Sequence, residues 1–219
     1  MRKAVAGVAV GLALAVGVPV SWELTRPPAT AGTPVAQALE ATGPPAPSSS
    51  GAAAPAPAVE TRDAAPAAVP RAPAPVRVTV PARGVEAPLD PMGVAGDGQM
   101  ALPGDVGRVG WYRFGPVPGE AGSAVLAGHV DDREQGLGAL APLRTAEAGD
   151  EVLVTDDAGT TSRWRVTSRE LITKQQLPLD ALFSREGPPR LVLVTCGGPF
   201  LPEYRSYRDN VVVVAEPLR

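Results

Sequence analysis

The stretch that decides the fold is LVLVTCGGPFLPEYRSYRDNVVVV, from Leu191 to Val214. Two short apolar runs rich in β-branched residues frame it, and Gly, Pro or polar residues bound each run, which is typical of buried strands. Cys196, the single cysteine of the chain, stands where the first run ends, and Arg208 stands where the second begins. A thiol and a guanidinium at two strand ends can face each other across a cleft, so the stretch suggests a catalytic site.

The rest of residues 76–219 continues this pattern of short strands separated by turns, with few helical signals. A hairpin is predicted around Asp157-Ala158-Gly159. Pro88 and Pro91 interrupt the run at 85–94, which predicts an edge strand or a bent connection there. The segment is long enough to bury a single core. Many strands at short spacing therefore favour an all-β domain built as a closed or nearly closed barrel.

His129, the only histidine of the chain, ends another apolar run and adds an imidazole to the thiol and the guanidinium. Neighbouring strand ends of a barrel gather on one rim, where sites are built. A thiolate nucleophile, an imidazole for proton transfer and a guanidinium for an oxyanion are the parts of a cysteine acyl-transfer site. Taken singly, Cys196 is also compatible with a buried apolar role, and Arg208 with a surface ion pair. One cysteine and one histidine fall short of a zinc ligand set, so we expect neither metal nor cofactor.

Two alternatives concern the residues around this triplet. Arg205, in the predicted loop over 199–207, competes for the arginine role, but Arg208 abuts a strand and would be better held. Asp131 and Asp132 follow His129, and we interpret them as a solvated acidic loop rather than as members of a catalytic triad.

The amino-terminal 75 residues indicate export. Arg2 and Lys3 precede an uncharged run, and we interpret 1–25 as an uncleaved membrane anchor, with a cleaved signal peptide as the alternative. Pro and Ala fill more than half of 26–75, which predicts a disordered linker. At about 3.1 Å per residue such a linker reaches on the order of 150 Å. The net charge of −3 and the lack of basic clusters argue against nucleic acid as a partner.

The sequence resembles class F sortases, the actinobacterial type of this family of cysteine transpeptidases. The general sortase signature is Thr-Leu-x-Thr-Cys followed by a distal Arg. Here it reads VLVTC, with Val192 in place of the first Thr, and Arg208 follows Cys196 by twelve residues. The segment at 109–131, VGWYRFGPVPGEAGSAVLAGHVD, also resembles class F sortases. The resemblance covers roughly 76–217, which corresponds to a catalytic domain over 76–219.

The resemblance implies an eight-stranded sortase-type β-barrel with short helices, and a transpeptidase acting on sorting signals of the Leu-Pro-x-Thr-Gly type. Cys196 would attack the Thr carbonyl and form a thioester, His129 would transfer the protons, and Arg208 would hold the oxyanion with help from Thr195. The acceptor would be an amine of a peptidoglycan precursor, or water. The implied partners are surface proteins bearing a sorting signal, and the implied location is the Gram-positive cell membrane with the catalytic domain on the cell-wall side.

In sortases the segment corresponding to 174–189 shapes the groove for the Leu-Pro end of the signal. Four apolar residues of this segment either line such a groove or are core contacts of a short helix predicted over 178–183: Leu177, Leu179, Leu182 and Phe183. The loop predicted over 197–207 would form the opposite wall.

Two other functions are compatible with the sequence. An L,D-transpeptidase or another exported cysteine peptidase also uses His and Cys, but the L,D-transpeptidase pattern is Ser-His-Gly-Cys with an Arg two residues later, where this chain has Gly198. A non-catalytic β-domain on a stalk, with Cys196 buried, predicts that the thiol resists alkylation in the folded protein.

Overall fold

The computed structural model describes residues 28–40 and 72–218. Strands dominate, and in chain order they are β1 (Thr30–Gly32), β2 (Pro75–Val80), β3 (Val85–Met92), β4 (Val109–Tyr112), β5 (Ser123–Gly128), β6 (Asp131–Asp132), β7 (Gly136–Leu137), β8 (Glu151–Asp156), β9 (Thr161–Thr173), β10 (Arg190–Leu201) and β11 (Ser206–Pro217). The short α-helices are α1 (Val35–Glu40) and α2 (Leu179–Leu182), and 3-10 turns cover Pro81–Arg83, Ala141–Thr145, Lys174–Gln176 and Pro202–Tyr204.

Eight of these strands close into a barrel, as predicted. The hydrogen-bonded order is β9-β11-β10-β5-β4-β3-β2-β8, and β8 pairs with β9 to complete the circle. The β8–β9 pair is the hairpin predicted around residues 157–159. Two neighbouring pairs, β5–β10 and β3–β4, are parallel, and the other pairs are antiparallel. The parallel β5–β10 pair matters for the site because it sets the carboxyl end of β5 beside the middle of β10.

The two apolar runs of the opening stretch form the central strands β10 and β11. Their alternate residues serve two clusters: Leu191 and Leu193 belong to the barrel interior, whereas Val192 and Val194 belong to a second cluster outside it. The outer cluster also contains residues of α1 and α2. Because both faces of these strands are covered, the sequence runs are continuously apolar rather than alternating.

The linker prediction over 26–75 is wrong for residues 28–40. β1 pairs antiparallel with β9, and α1 buries Val35, Ala38 and Leu39 against the outer face of β10 and β11. The backbone N–H of Val35 donates to the Glu170 carboxylate at 2.9 Å. Gly32 has a φ of +81°, and a Cβ there would lie 2.2 Å from the Thr167 carbonyl oxygen, so the docked strand needs a glycine. A short amphipathic stretch, VAQALE, is hidden by the average Pro/Ala composition around it.

The predicted anchor over 1–25 and the part of the linker at 41–71 lie outside the described residues. Within 28–40 and 72–218, no helix combines the length and the apolar character that a membrane span requires.

Of the two predictions for 85–94, an edge strand or a bent connection, the edge strand is wrong for β3. In the barrel it lies between β2 and β4, but its first half pairs only with β2 and its second half only with β4. Pro88 and Pro91 are tolerated because each half of the strand has a ladder partner on one side only, so a residue without an N–H need not break a central ladder.

Candidate active site

Cys196 lies on β10 opposite Asn210 of β11. It is partly exposed, and strand alternation places it on the same outer face as Val192 and Val194. Immediately beyond it the β10–β11 ladder shifts register between Gly197 and Phe200. A bulge of this kind re-aims the residues beside it and is frequent next to active sites.

His129 follows β5 directly, and β5 runs parallel to β10. The register pairs Ala127 with Val194 and Gly128 with Thr195, so the next residues along the two strands are His129 and Cys196. Adjacent strands lie about 4.8 Å apart, so the imidazole and the thiol leave neighbouring strands at the same level, His129 just past the end of β5 and Cys196 in the middle of β10. The joint placement predicted from the sequence is therefore what the β5–β10 register produces.

Thr195 faces the barrel interior rather than the outer face. Its side chain is buried, and its hydroxyl donates a hydrogen bond of 2.9 Å to the carbonyl oxygen of Gly128. This bond ties β10 to the end of β5 one residue before both His129 and Cys196, and so it helps to fix the position of His129 relative to Cys196.

Arg208 lies on β11 two residues before Asn210, the partner of Cys196, so alternation puts it on the same face as the thiol. Its guanidinium donates two hydrogen bonds, of 2.8 and 2.9 Å, to the carboxylate of Asp209. The Asp209 side chain is buried whereas that of Arg208 is half exposed. The hydrogen bond to Asp209 and the charge of that carboxylate raise the pKa of Arg208, which keeps the guanidinium cationic.

Gly198 has no side chain, and this leaves space for the carboxylate of the Arg208–Asp209 pair. Its φ is +72°, and a Cβ at that position would lie 2.1 Å from Oδ2 of Asp209. Only glycine therefore permits the bulge backbone and the buried Asp209 carboxylate together.

Arg205, the alternative for the arginine role, ends the 3-10 turn Pro202–Tyr204 in a left-handed conformation and is exposed. The predicted loop around it is wrong in extent, because β10 continues to Leu201 and β11 begins at Ser206. Gly197, Gly198 and Pro199 read as turn residues in the sequence, but they lie in the bulged part of a long hairpin.

Asp131 and Asp132 form the short strand β6 rather than a loop, and Asp132 is exposed as predicted, whereas Asp131 is half-buried. The Tyr207 hydroxyl donates a hydrogen bond to the Asp131 carboxylate, and this bond is the main reason why the pKa of Tyr207 rises to about 12. Cys196 is close enough to contribute to the same rise. The Asp132 carboxylate accepts backbone hydrogen bonds from residues 134 and 135, which lower its pKa, and a smaller lowering comes from the charge of His129. Tyr207 thus fastens the segment that follows His129 to β11.

A groove of about 560 Å³ reaches Cys196 along the outer face of the barrel. The four apolar residues predicted for it all line it: Leu177, Leu179, Leu182 and Phe183. The two interpretations of these residues are not exclusive, since Leu182 is also buried in the outer cluster, whereas Leu179 is 56% exposed.

Lys174 also lines it, at the start of the segment 174–189 that was predicted to shape the groove. Further lining residues were not predicted, among them Met100, Tyr112 and Asn210. They come from three separate segments of the chain that only the barrel topology brings together, and no local pattern marks them. In the part of the chain that the structure describes, no group of three or more His, Cys, Asp or Glu side chains is placed to hold a metal ion.

Residues 78–218 match the family described as Sortase domain. This chain belongs to the sortase family. Membership implies a cysteine transpeptidase, and it favours this activity over the L,D-transpeptidase alternative. The search of curated proteins gave no match.

Several solved sortase structures share the fold. Sortase C-1 from Actinomyces oris has 18% identity and a TM-score of 0.52, over 66% of this chain and 73% of that one. A lid mutant of sortase A from Corynebacterium diphtheriae has 15% identity and a TM-score of 0.51, over 67% and 71%. Sortase A from Listeria monocytogenes has 21% identity and a TM-score of 0.50, over 68% and 89%. At these identities the likeness is one of fold.

Proposed function

We propose that the protein is a class F sortase that cleaves a Leu-Pro-x-Thr-Gly-type signal after Thr and transfers the acyl group through Cys196. The observation that carries the proposal is the register of three adjacent strands. His129, Cys196 and Arg208 follow or lie on these neighbouring strands, and an apolar groove reaches the thiol, which supports the proposal.

In the acylation step, the Cys196 thiolate attacks the Thr carbonyl carbon, and the carbonyl oxygen becomes an oxyanion. Arg208 stabilises this oxyanion, since its charge is fixed near the rim by Asp209. The Thr–Gly carbon–nitrogen bond then breaks, His129 donates a proton to the leaving amine, and a thioester to Cys196 remains.

In the deacylation step, an amine of a peptidoglycan precursor attacks the thioester, and His129 accepts its proton. The new amide forms as the carbon–sulfur bond breaks, which returns the thiolate of Cys196. Water in place of the amine gives hydrolysis.

The location of the enzyme is part of the same proposal. Arg2, Lys3 and the uncharged run after them support a single-pass anchor over 1–25, with the barrel on the cell-wall side of a Gram-positive membrane. Surface proteins bearing the sorting signal are then the substrates, and the membrane holds the enzyme where both substrates meet.

The test is peptide cleavage by the full chain in detergent, with and without a small amine acceptor, followed by mass spectrometry. We expect cleavage between Thr and Gly, and an amide of the acceptor when it is present. His129→Ala and Arg208→Gln should each lower kcat by about 10²-fold or more, whereas the matched change Arg205→Gln should not. Equal losses for the two arginine variants would contradict the assignment of Arg208.

A further inference from the structure

We propose that Lys174 makes this enzyme selective for a sorting signal with a carboxylate side chain at position x. This inference rests on the proposed function. Among the described residues that line the groove, Lys174 is the only one with a charged side chain.

The ammonium group of Lys174 has no carboxylate partner among the described residues. Its Nζ donates a hydrogen bond of 2.7 Å to the hydroxyl of Ser206, a neutral group in a partly buried setting. The ion pairs of the described residues involve only arginines as cations, and Arg208 near the rim is already paired with Asp209. Within the groove, the charge of Lys174 is therefore available to a ligand.

Apolar walls strengthen the attraction between this cation and an anion. Leu177 and Phe183 line the groove together with Lys174, and an ion pair there is less screened by water than one on an open surface. A charge-assisted hydrogen bond from an ammonium to a carboxylate is stronger than the present bond to a hydroxyl. The carboxylate of a bound peptide thus offers Lys174 a better partner than Ser206 does.

The fold places Lys174 at the right part of the groove. Asn210 pairs with Cys196 on one side and with Ile172 on the other, so the three residues are level across β10, β11 and β9. Lys174 is two residues beyond Ile172, and the apolar wall that begins at Leu177 follows three residues later. Two strand spacings are roughly 10 Å, so Cys196 and the Lys174 side chain both lie within reach of one short extended peptide.

The position of the carboxylate follows from the signal itself. Leu, Pro, Thr and Gly have no ionisable side chain, so x is the only place in the motif for a charge. With the Thr carbonyl at Cys196 and the Leu-Pro end at the apolar wall, x lies between them in the groove that Lys174 also lines.

The experiment measures kcat/KM of the full chain for three peptides that differ only at x: Glu, its neutral isostere Gln, and Lys. We expect the Glu peptide to exceed the Gln peptide by about tenfold, equivalent to about 1.4 kcal/mol, and the ratio to shrink as salt is raised. A Glu placed before Leu, outside the motif, should give no such gain.

Variants of Lys174 test whether its side chain causes the preference for Glu at x. Lys174→Met should bring the Glu-to-Gln ratio close to one, Lys174→Glu should favour the Lys peptide, and Lys174→Arg should retain the preference for Glu. Arg165→Met, which removes an exposed cation near the opposite end of β9, is the matched control and should keep the parent ratio.

The outcomes separate the two proposals. Equal cleavage of the Glu and Gln peptides by the parent overturns the role of Lys174 and leaves the sortase activity standing. A preference for Glu that survives in Lys174→Met also overturns the role of Lys174, because another group must then bind the carboxylate at x. Cleavage of none of the peptides overturns the proposed function, and with it this inference.

Discussion

At the scale of single residues, the pair Arg208–Asp209 is the most informative feature of the site. The carboxylate is buried and the guanidinium half exposed, so Asp209 holds the cation at the rim without being available to substrate itself. We interpret Asp209 as a positioning residue for Arg208. Asp209→Asn removes the charge and one acceptor oxygen, and we expect kcat to fall by about tenfold with little change in KM, since an oxyanion contact acts in the transition state.

A double-mutant cycle distinguishes positioning from general destabilisation. In the Arg208→Gln background, Asp209→Asn should cause no further loss of kcat, because the group that it positions is gone. Additive losses, or a parallel fall of Tm that accounts for them, would contradict this interpretation.

A second residue-scale prediction concerns Asp150, whose carboxylate accepts two hydrogen bonds from Arg83, at 2.6 and 3.0 Å. Burial alone would raise the pKa of Asp150, but the bonds from Arg83 and from the Glu147 backbone outweigh it and hold the pKa below its usual value. A depressed folded-state pKa stabilises the protein above the unfolded value of about 3.9, and this contribution is lost as the pH falls through the folded pKa.

The measurement is the free energy of unfolding of the parent and of Asp150→Asn between pH 7 and pH 2. The variant should be less stable by about 1–3 kcal/mol at pH 7, and its stability should fall less steeply in acid. A constant difference at every pH would contradict the role of the charge.

At the scale of elements, the docking of α1 explains why β10 and β11 are apolar on both faces. Val35 is completely buried against the outer cluster, whereas Ala36 on the same helix is exposed. Val35→Asp places an unpaired charge in this interface, and we expect a loss of about 1–3 kcal/mol together with faster hydrogen exchange at 28–40. Ala36→Asp is the matched control, and equal exchange in the two variants would show that α1 does not dock as described.

The same elements show what a sequence can and cannot specify. Short β-branched runs predict the barrel, and the same runs predict that His129, Cys196 and Arg208 lie beside buried strands, because these signals are local. The expected strand ends at Cys196 and Arg208 are wrong, since both residues lie within long strands of a bulged hairpin. The groove residues Met100 and Tyr112 were not predicted, since only the strand order brings them together. The ordered stretch at 28–40 was missed because its six-residue helix depends on the surface of β10 and β11 rather than on its own propensity.

At the scale of the whole molecule, the docked segment changes the relation of the barrel to the proposed membrane anchor. A free linker over 26–75 would extend on the order of 150 Å, but residues 28–40 already pack on the barrel. If 1–25 is the anchor, only a few residues separate it from the docked strand. We therefore expect the barrel to lie against the membrane surface.

Fluorescence transfer from a dye on Cys196 to acceptor lipids tests this arrangement, since the single thiol is partly exposed. In liposomes the parent should show efficient transfer, and Val35→Asp, which releases the segment, should show less. Weak transfer in the parent, equal to that of Val35→Asp, would contradict the close placement.

The central claim is that Cys196 carries the acyl group, and the most direct test is the intact mass of the enzyme during turnover. The full chain is mixed with a Leu-Pro-x-Thr-Gly peptide without an amine acceptor and quenched in acid. We predict an adduct with the mass of the peptide through Thr, located at Cys196, cleaved by hydroxylamine and absent from Cys196→Ala. No adduct together with no cleavage, or cleavage by Cys196→Ala at the parent rate, would contradict the account.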